Sequence, residues 1–111
     1  MISYAEFRRV EMRVGRVLGV EAFPEAGKPS YKLTIDFGPE VGVKRSSAQI
    51  TGYTKEELVG RLVIGVVNFA PKMIAGFPSE VLTLGVADRS RNNNWFLIQP
   101  DRDVELGTRV E

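Results

Sequence analysis

The sequence predicts an all-β domain with two short helices. Apolar and polar residues alternate with period two along most of its 111 residues, which is the pattern of half-buried strands. Two segments, beginning at Ser3 and Thr54, instead carry the Ser/Thr-x-x-Glu signature of a helix N-terminus. Hydrophobic residues make up 43% of the chain and charged residues 26%, as in ordinary globular proteins. With no internal repeat or linker, we expect residues 1–111 to form one domain.

In the first half of the chain, the residue pattern predicts a helix and three strands. The helix is expected over residues 4–9, and a long first strand follows over residues 10–22, where Arg16 beside Gly15 marks a bulge or bend. Residues 31–37 alternate most regularly, with every odd position apolar. After a turn at residues 38–40, we expect residues 41–49 to complete a hairpin.

The second half predicts a short helix and three more strands. The helix that begins at Thr54 is expected to end at Gly60, since glycine is the preferred residue just after a helix. Residues 61–69 are apolar on both faces, which predicts a buried central strand. Further strands are expected at residues 80–85 and 95–99, separated by a turn at residues 88–94.

This order of elements favours an OB-fold, a five-stranded Greek-key barrel. Its elements are a long bent first strand, a hairpin, a helix between strands three and four, and closing strands. An SH3-type barrel is the alternative, and the helix between strands three and four argues against it.

Composition narrows the function classes. The chain has no cysteine and no histidine, which excludes disulfides, thiolate nucleophiles, Cys/His zinc sites and histidine-based acid–base chemistry. Ser79 and Glu80 have no base beside them that works near neutral pH, so we expect no enzyme, no catalytic residue, no cofactor and no metal. The longest apolar run, residues 62–71, is too short to span a bilayer, so we expect no membrane insertion and a cytoplasmic protein.

A polar cluster is expected where strands two and three face the first loop. Its candidate members are Lys28, Lys32, Lys44, Arg45, Ser47 and Gln49. Cations with hydroxyl and amide groups suit phosphate and sugar contacts. The net charge of only +1 makes a merely solvated barrel face an equally good interpretation.

The loop at residues 68–80 carries four large apolar side chains between two prolines. They are Phe69, Met73, Ile74 and Phe77. Such side chains on a loop either form a binding surface or tuck under the barrel as a small extra core, and both interpretations stay open. Phe77, next to Pro78, is expected to be the most exposed.

Taken together, these residues resemble the tRNA-binding-domain family, found alone or fused to aminoacyl-tRNA synthetases. The general motifs are VEMRVGRV (residues 10–17), KEELVGR (residues 55–61), VNFAPK (residues 67–72), Gly76 and Ser79-Glu80. Residues 23–38, 44–51 and 99–102 are similar to the bacterial CsaA branch. The resemblance covers nearly the whole chain.

The resemblance implies a homodimer in contact through its N-terminal helix and C-terminal part. It also implies a chaperone that assists protein export, within a family named for tRNA binding. It adds Asn68, Lys72 and Ser79 to the candidate nucleic-acid-binding residues, and the loop's apolar residues become candidates for polypeptide binding. We expect unfolded or pre-export polypeptide as the main ligand. The alternative is a dedicated tRNA-binding protein that acts in trans for translation.

Overall fold

Nine strands and three short helices make up the structure, a computed structural model that describes residues 1–111. The helices are α1 (Tyr4–Arg8), α2 (Gly38–Val41) and α3 (Lys55–Leu58). The strands are β1 (Met12–Ala22), β2 (Tyr31–Asp36), β3 (Val43–Ala48), β4 (Leu62–Val66), β5 (Lys72–Ile74), β6 (Phe77–Ser79), β7 (Leu82–Thr83), β8 (Gly85–Asp88) and β9 (Asn94–Leu97). A turn of 3-10 helix at Arg89–Arg91 joins the last two strands.

Five of the strands form a nearly closed antiparallel barrel. They lie in the order β3-β2-β1-β4-β7, and all neighbours are antiparallel. The barrel closes between its edge strands, where the hydroxyl of Ser46 on β3 donates to the carbonyl of Val81 at 3.0 Å. The Glu80 N–H donates to the Arg45 carbonyl at 2.8 Å on the same seam. With α3 between β3 and β4, this confirms the predicted OB-fold barrel.

The capping signals at the two predicted helices are confirmed. The Ser3 hydroxyl accepts from the Glu6 N–H at 3.1 Å and the Glu6 carboxylate accepts from the Ser3 N–H at 3.0 Å. Thr54 and Glu57 form the same reciprocal pair at α3. The hydrogen bond from the Thr54 backbone stabilises the charged carboxylate and lowers the pKa of Glu57. The three α-helices have only four or five residues each, far fewer than a helix needs to span a bilayer.

The core is built on β2 and β4, as the sequence predicted. The alternating residues Leu33, Ile35 and Phe37 are fully buried, and all five residues of β4 are buried. The Phe37 ring lies against two glycines on neighbouring strands. A Cβ added at Gly65 would lie 2.8 Å from the ring, and one added at Gly15 would lie 2.8 Å from it. Only glycine fits at both positions without a shift of the ring.

The irregularity in β1 lies later than predicted. The register between β1 and β2 shifts between Val17 and Gly19, so the extra residue is Leu18 rather than Arg16. This shift reverses the face of the strand. Val17, before the shift, is in the core, and Leu18, at the shift, is 50% exposed, although the period-two pattern from residue 10 had placed Leu18 inside.

Three predicted boundaries also differ. The expected turn at residues 38–40 is the helix α2, which begins with a glycine in the left-handed region at φ +85°. The strand expected at residues 80–85 is divided between β7 and β8, and the loop at residues 68–80 contains the hairpin of β5 and β6. The chain therefore has two small hairpins beside the barrel, one of them in a segment that the sequence indicated as a loop.

The contact between Phe37 and Gly65 gives a stability prediction. Gly65→Ala is expected to destabilise the protein by about 1–3 kcal/mol, because the added methyl group overlaps a fully buried ring. Gly19→Ala is the matched control on a strand, since a Cβ there meets nothing within 4 Å. The control should be neutral or slightly stabilising. Urea unfolding of the two variants measures the difference, and equal midpoints would contradict the packing argument.

Candidate binding groove

A groove with a volume of about 800 Å³ opens beside the seam where the barrel closes. Eleven of its twenty lining residues are hydrophobic. They come from the loop after β1, the end of β3, the β5–β6 hairpin, β7 and the β8–β9 hairpin. The loops that surround strands two and three of an OB-fold are the usual ligand-binding region of this fold.

The β5–β6 hairpin forms one wall of the groove. Ile74 pairs with Phe77, which leaves Ala75 and Gly76 as a two-residue turn with φ angles of 46° and 80°. Positive φ at both positions is the geometry of a type I′ hairpin turn. Side chains on paired strands alternate between faces, so Met73 points away from the face of Ile74 and Phe77 and is 64% exposed.

The expectation that Phe77 is exposed is wrong. Its side chain is only 7% exposed and meets the ring of Phe23 edge-on, with ring centroids 5.4 Å apart. The Lys32 ammonium lies 5.3 Å and the Arg45 guanidinium 5.0 Å from the Phe77 centroid. Phe77 thus anchors the hairpin to the barrel and offers no free surface to a polypeptide. For this residue the extra-core interpretation holds.

Three of the four apolar candidates line the groove. They are Phe69, Met73 and Ile74. Phe69 is 56% exposed, and Ile74 is half-buried. The hairpin is held in place by the buried Phe77 ring, so these three side chains remain available to a ligand.

Five of the nine nucleic-acid candidates also line the groove. They are Lys28, Ser47, Gln49, Lys72 and Ser79. The Ser79 hydroxyl accepts from the Ser47 N–H at 2.9 Å, which ties the hairpin to β3. Ser79 therefore has a structural role in addition to its place in the lining.

The remaining cations do not join that set. Lys32 and Arg45 lie on the outer face of the barrel, where the Arg45 guanidinium donates to Glu21 at 2.9 Å. Lys44 pairs with the buried Ile35, so it lies on the opposite face of β3 from Arg45. The expectation of a single polar face is therefore wrong for Lys44, because successive side chains on a strand alternate.

Asn68 is placed outside the groove and holds the N-terminal segment. Its side-chain amide donates to the Arg9 carbonyl at 2.8 Å, and its oxygen accepts from the Glu11 N–H at 3.0 Å. Both ends of the side chain are thus engaged within the protein. This geometry supports a structural role for the residue in fixing the end of α1.

Part of the groove wall, chiefly Trp95 and Leu82, was not predicted from the sequence. Both side chains line the groove and are substantially exposed. An aromatic residue directly after a polar turn was the available signal. It was insufficient because the exposure depends on how the β8–β9 hairpin folds beside the barrel. No group of three or more acidic side chains is arranged to hold a metal ion.

An OB-fold barrel with an open groove of apolar and cationic residues defines the class of the protein as an OB-fold binding domain. The chain belongs to the family described as putative tRNA-binding domains, whose model matches residues 12–109.

Solved structures and curated relatives fall into two groups. The CsaA chaperone of Picrophilus torridus is 47% identical, with a TM-score of 0.93 and full coverage of both chains. The CsaA chaperone of Bacillus anthracis is 43% identical, with a TM-score of 0.90 and coverage of 100% and 99%. Methionine–tRNA ligase of Thermococcus kodakarensis is 34% identical over 110 residues, which are 98% of this chain and 14% of the ligase. The chain thus spans about a seventh of the length of such ligases.

The two faces of the β5–β6 hairpin predict opposite effects of substitution. Phe77→Ala is expected to destabilise the protein by about 3 kcal/mol, since it removes a buried ring from between Phe23 and two cations. Met73→Ser should change stability by less than about 0.5 kcal/mol, because the side chain is mostly exposed. Thermal unfolding followed by circular dichroism compares them. A sharp loss of stability in the Met73 variant alone would contradict this description of the hairpin.

Proposed function

We propose that this protein is a non-enzymatic, chaperone-like protein of the cytoplasm that binds unfolded or pre-export polypeptide in the groove. The exposed apolar side chains of Phe69, Met73 and Trp95 around one open groove are the observation that carries the proposal. The two CsaA chaperones, which match this chain over its full length, support it. The methionine–tRNA ligases share with it only a small part of their length.

The groove suits a ligand of variable sequence. Exposed apolar surface gathered at one place is typical of an interaction site rather than of an ordinary surface. Methionine is flexible and polarisable, so Met73 can adapt to different side chains. Ser47 and Gln49 supply hydroxyl and amide groups that can pair with the backbone of an extended chain. Apolar contact and hydrogen bonds to the backbone depend little on the ligand's sequence, so we expect the groove to bind many polypeptides rather than a single one.

Removal of the apolar side chains tests this function. The double variant Phe69→Ser/Met73→Ser is expected to weaken binding of a permanently unfolded protein by about 1–3 kcal/mol for each side chain that the complex buries. Leu18→Ser is the matched control, because Leu18 is also half exposed but lies outside the groove. Fluorescence anisotropy gives both affinities, and equal binding by the double variant and the control would sink the proposal.

A tRNA-binding protein that acts in trans for translation is the second candidate. The family match favours it, as do the exposed Lys28 and Lys72 at the groove. Since the net charge is only +1, long-range attraction to RNA is weak and affinity must come from local phosphate contacts. Such contacts would make binding strongly dependent on salt.

The salt dependence of tRNA binding tests the second candidate. Each phosphate contact contributes about −0.7 to the slope of log affinity against log salt on single strands. Lys28→Ala/Lys72→Ala is therefore expected to flatten the slope by roughly 1.4 if both lysines contact phosphates. Filter binding of bulk tRNA at several salt concentrations measures it. A slope equal to that of the unmodified protein would place the RNA contacts elsewhere.

We further propose that the protein is a homodimer in which α1 contributes to the contact. The helix has only five residues and buries none of them, and Ile2 before it is 71% exposed. The helix is nevertheless held in place, because Arg8 pairs with Glu111 at 3.1 Å and Asn68 binds Arg9. A fixed helix with an exposed apolar side is suited to symmetric pairing with a second copy.

The dimer proposal predicts a mass and a way to break it. At micromolar concentration the protein should sediment at about twice the chain mass of 12.3 kDa. Ile2→Asp/Val10→Asp should shift it toward the monomer, since both side chains are exposed in the single chain and an interface would bury them. Val59→Asp, at an exposed apolar position after α3, is the control and should leave the mass unchanged. A single species of one chain in the unmodified protein would rule the dimer out.

A further inference from the structure

The groove has an asymmetric charge. Among its twenty lining residues the charged side chains are Lys28 and Lys72, and no carboxylate lines it. Both lysines are exposed, and neither takes part in any ion pair of the chain. A chain of nearly balanced total charge thus presents two unpaired positive charges at a largely apolar groove.

The carboxylates of Glu21 and Glu80 are engaged with Arg45. Glu21 accepts from the Arg45 guanidinium at 2.9 Å, and the Glu80 carboxylate accepts from the Arg45 N–H at 2.9 Å. Glu25 lies in the same loop as Lys28 but outside the groove lining. The two lysines are therefore not neutralised within the protein, and their partners must come from solvent or from a ligand.

The two lysines come from different walls of the groove. Lys28 belongs to the loop between β1 and β2, and Lys72 begins β5 in the β5–β6 hairpin. Apolar side chains such as Met73, Ile50 and Leu82 line the space that they share. A segment seated there meets both apolar side chains and ammonium groups.

We propose, on the basis of the function proposed above, that the groove selects extended polypeptide segments in which apolar residues are flanked by Asp or Glu. The apolar residues of such a segment occupy the groove and its carboxylates pair with Lys28 and Lys72. A segment with basic flanks places like charges side by side, which opposes binding. The selectivity is therefore electrostatic and is added to a binding strength that comes from apolar contact.

Three matched peptides test the selectivity. Blocked peptides share a central Leu-Ala-Leu-Ala sequence and carry two Glu, two Gln or two Lys residues on each side. At about eight residues they are about 27 Å long when extended, which is shorter than the smallest extent of the molecule, 30 Å. The Glu peptide is expected to bind roughly two- to tenfold tighter than the Gln peptide, and the Lys peptide more weakly than either. In 1 M salt, where screening acts over about 3 Å, the three affinities should converge.

A charge-reversed protein provides the decisive control. Lys28→Glu/Lys72→Glu should invert the order, so that the Lys peptide binds tightest, and it should keep its melting temperature because both side chains are exposed and unpaired. Glu25→Gln should leave the order unchanged, since Glu25 is outside the lining.

The outcomes separate this inference from the proposed function. Equal affinities for the three peptides, tighter binding of the Lys peptide, or no peptide binding at all would overturn the selectivity. Loss of tRNA binding in the charge-reversed protein, with an unchanged peptide order, would also overturn it and assign the lysines to RNA. The proposed function itself fails only if the permanently unfolded protein does not bind the groove.

Discussion

The packing of the Phe37 ring against two glycines is the contact on which the barrel depends. Phe37 follows directly after β2, and its ring lies against Gly15 on β1 and Gly65 on β4, so the end of one barrel strand and two further strands meet at one side chain. The C-terminal segment closes over the same place, where a Cβ at Gly107 would lie 2.7 Å from the Phe37 carbonyl oxygen. Because protein interiors are close-packed, this contact fixes how near the strands approach one another.

The groove depends on the seam between the two edge strands of the barrel. The closing seam is polar, since Ser46 donates to Val81 and Ser79 accepts from Ser47. Hydroxyl groups hold this seam, and β7 beside it has only two residues. The neighbouring loops therefore stay open, whereas a long edge strand would cover them. Phe77 then fixes one hairpin by its buried face, and strand alternation leaves Met73 on the free face. Structural anchoring and ligand contact are thus divided between adjacent residues.

Local signals were sufficient for much of the fold. The alternation in residues 31–37, the apolar run in β4 and the capping pairs at Ser3 and Thr54 depend on neighbours within a few residues, and all appear in the structure. The errors have a different origin. Leu18 is exposed because of a register shift against β2, and Phe77 is buried because of contacts with Phe23, 54 positions earlier in the chain. Such partners are set by tertiary packing, and a pattern along one strand contains no information about them.

The site was predicted only in part for the same reason. Lys28, Lys72 and Met73 lie in segments that the sequence predicted as loops, whose exposure follows from their composition, whereas Lys44 required the register of β3. Lys32 is also less free than its position on the outer face suggests, because its ammonium lies 4.8 Å from the Phe23 ring and close to Phe77. A cation over aromatic rings gains about 0.5–2 kcal/mol, which a phosphate contact would have to replace.

This difference among the cations bears on both proposed ligands. Lys32 and Arg45 are held by rings and by Glu21, whereas Lys28 and Lys72 have no partner in the chain. An anion binds most strongly to cations that need not first give up a partner within the protein. A polyanion and an acidic polypeptide would therefore both use the two groove lysines. What distinguishes the ligands is the rest of the contact. RNA binding relies on charge and weakens as salt rises, whereas a polypeptide also buries the apolar side chains of the groove, a contribution that salt does not screen. The two lysines alone would not distinguish RNA from an acidic polypeptide. The apolar lining adds a contribution to polypeptide binding that RNA binding lacks.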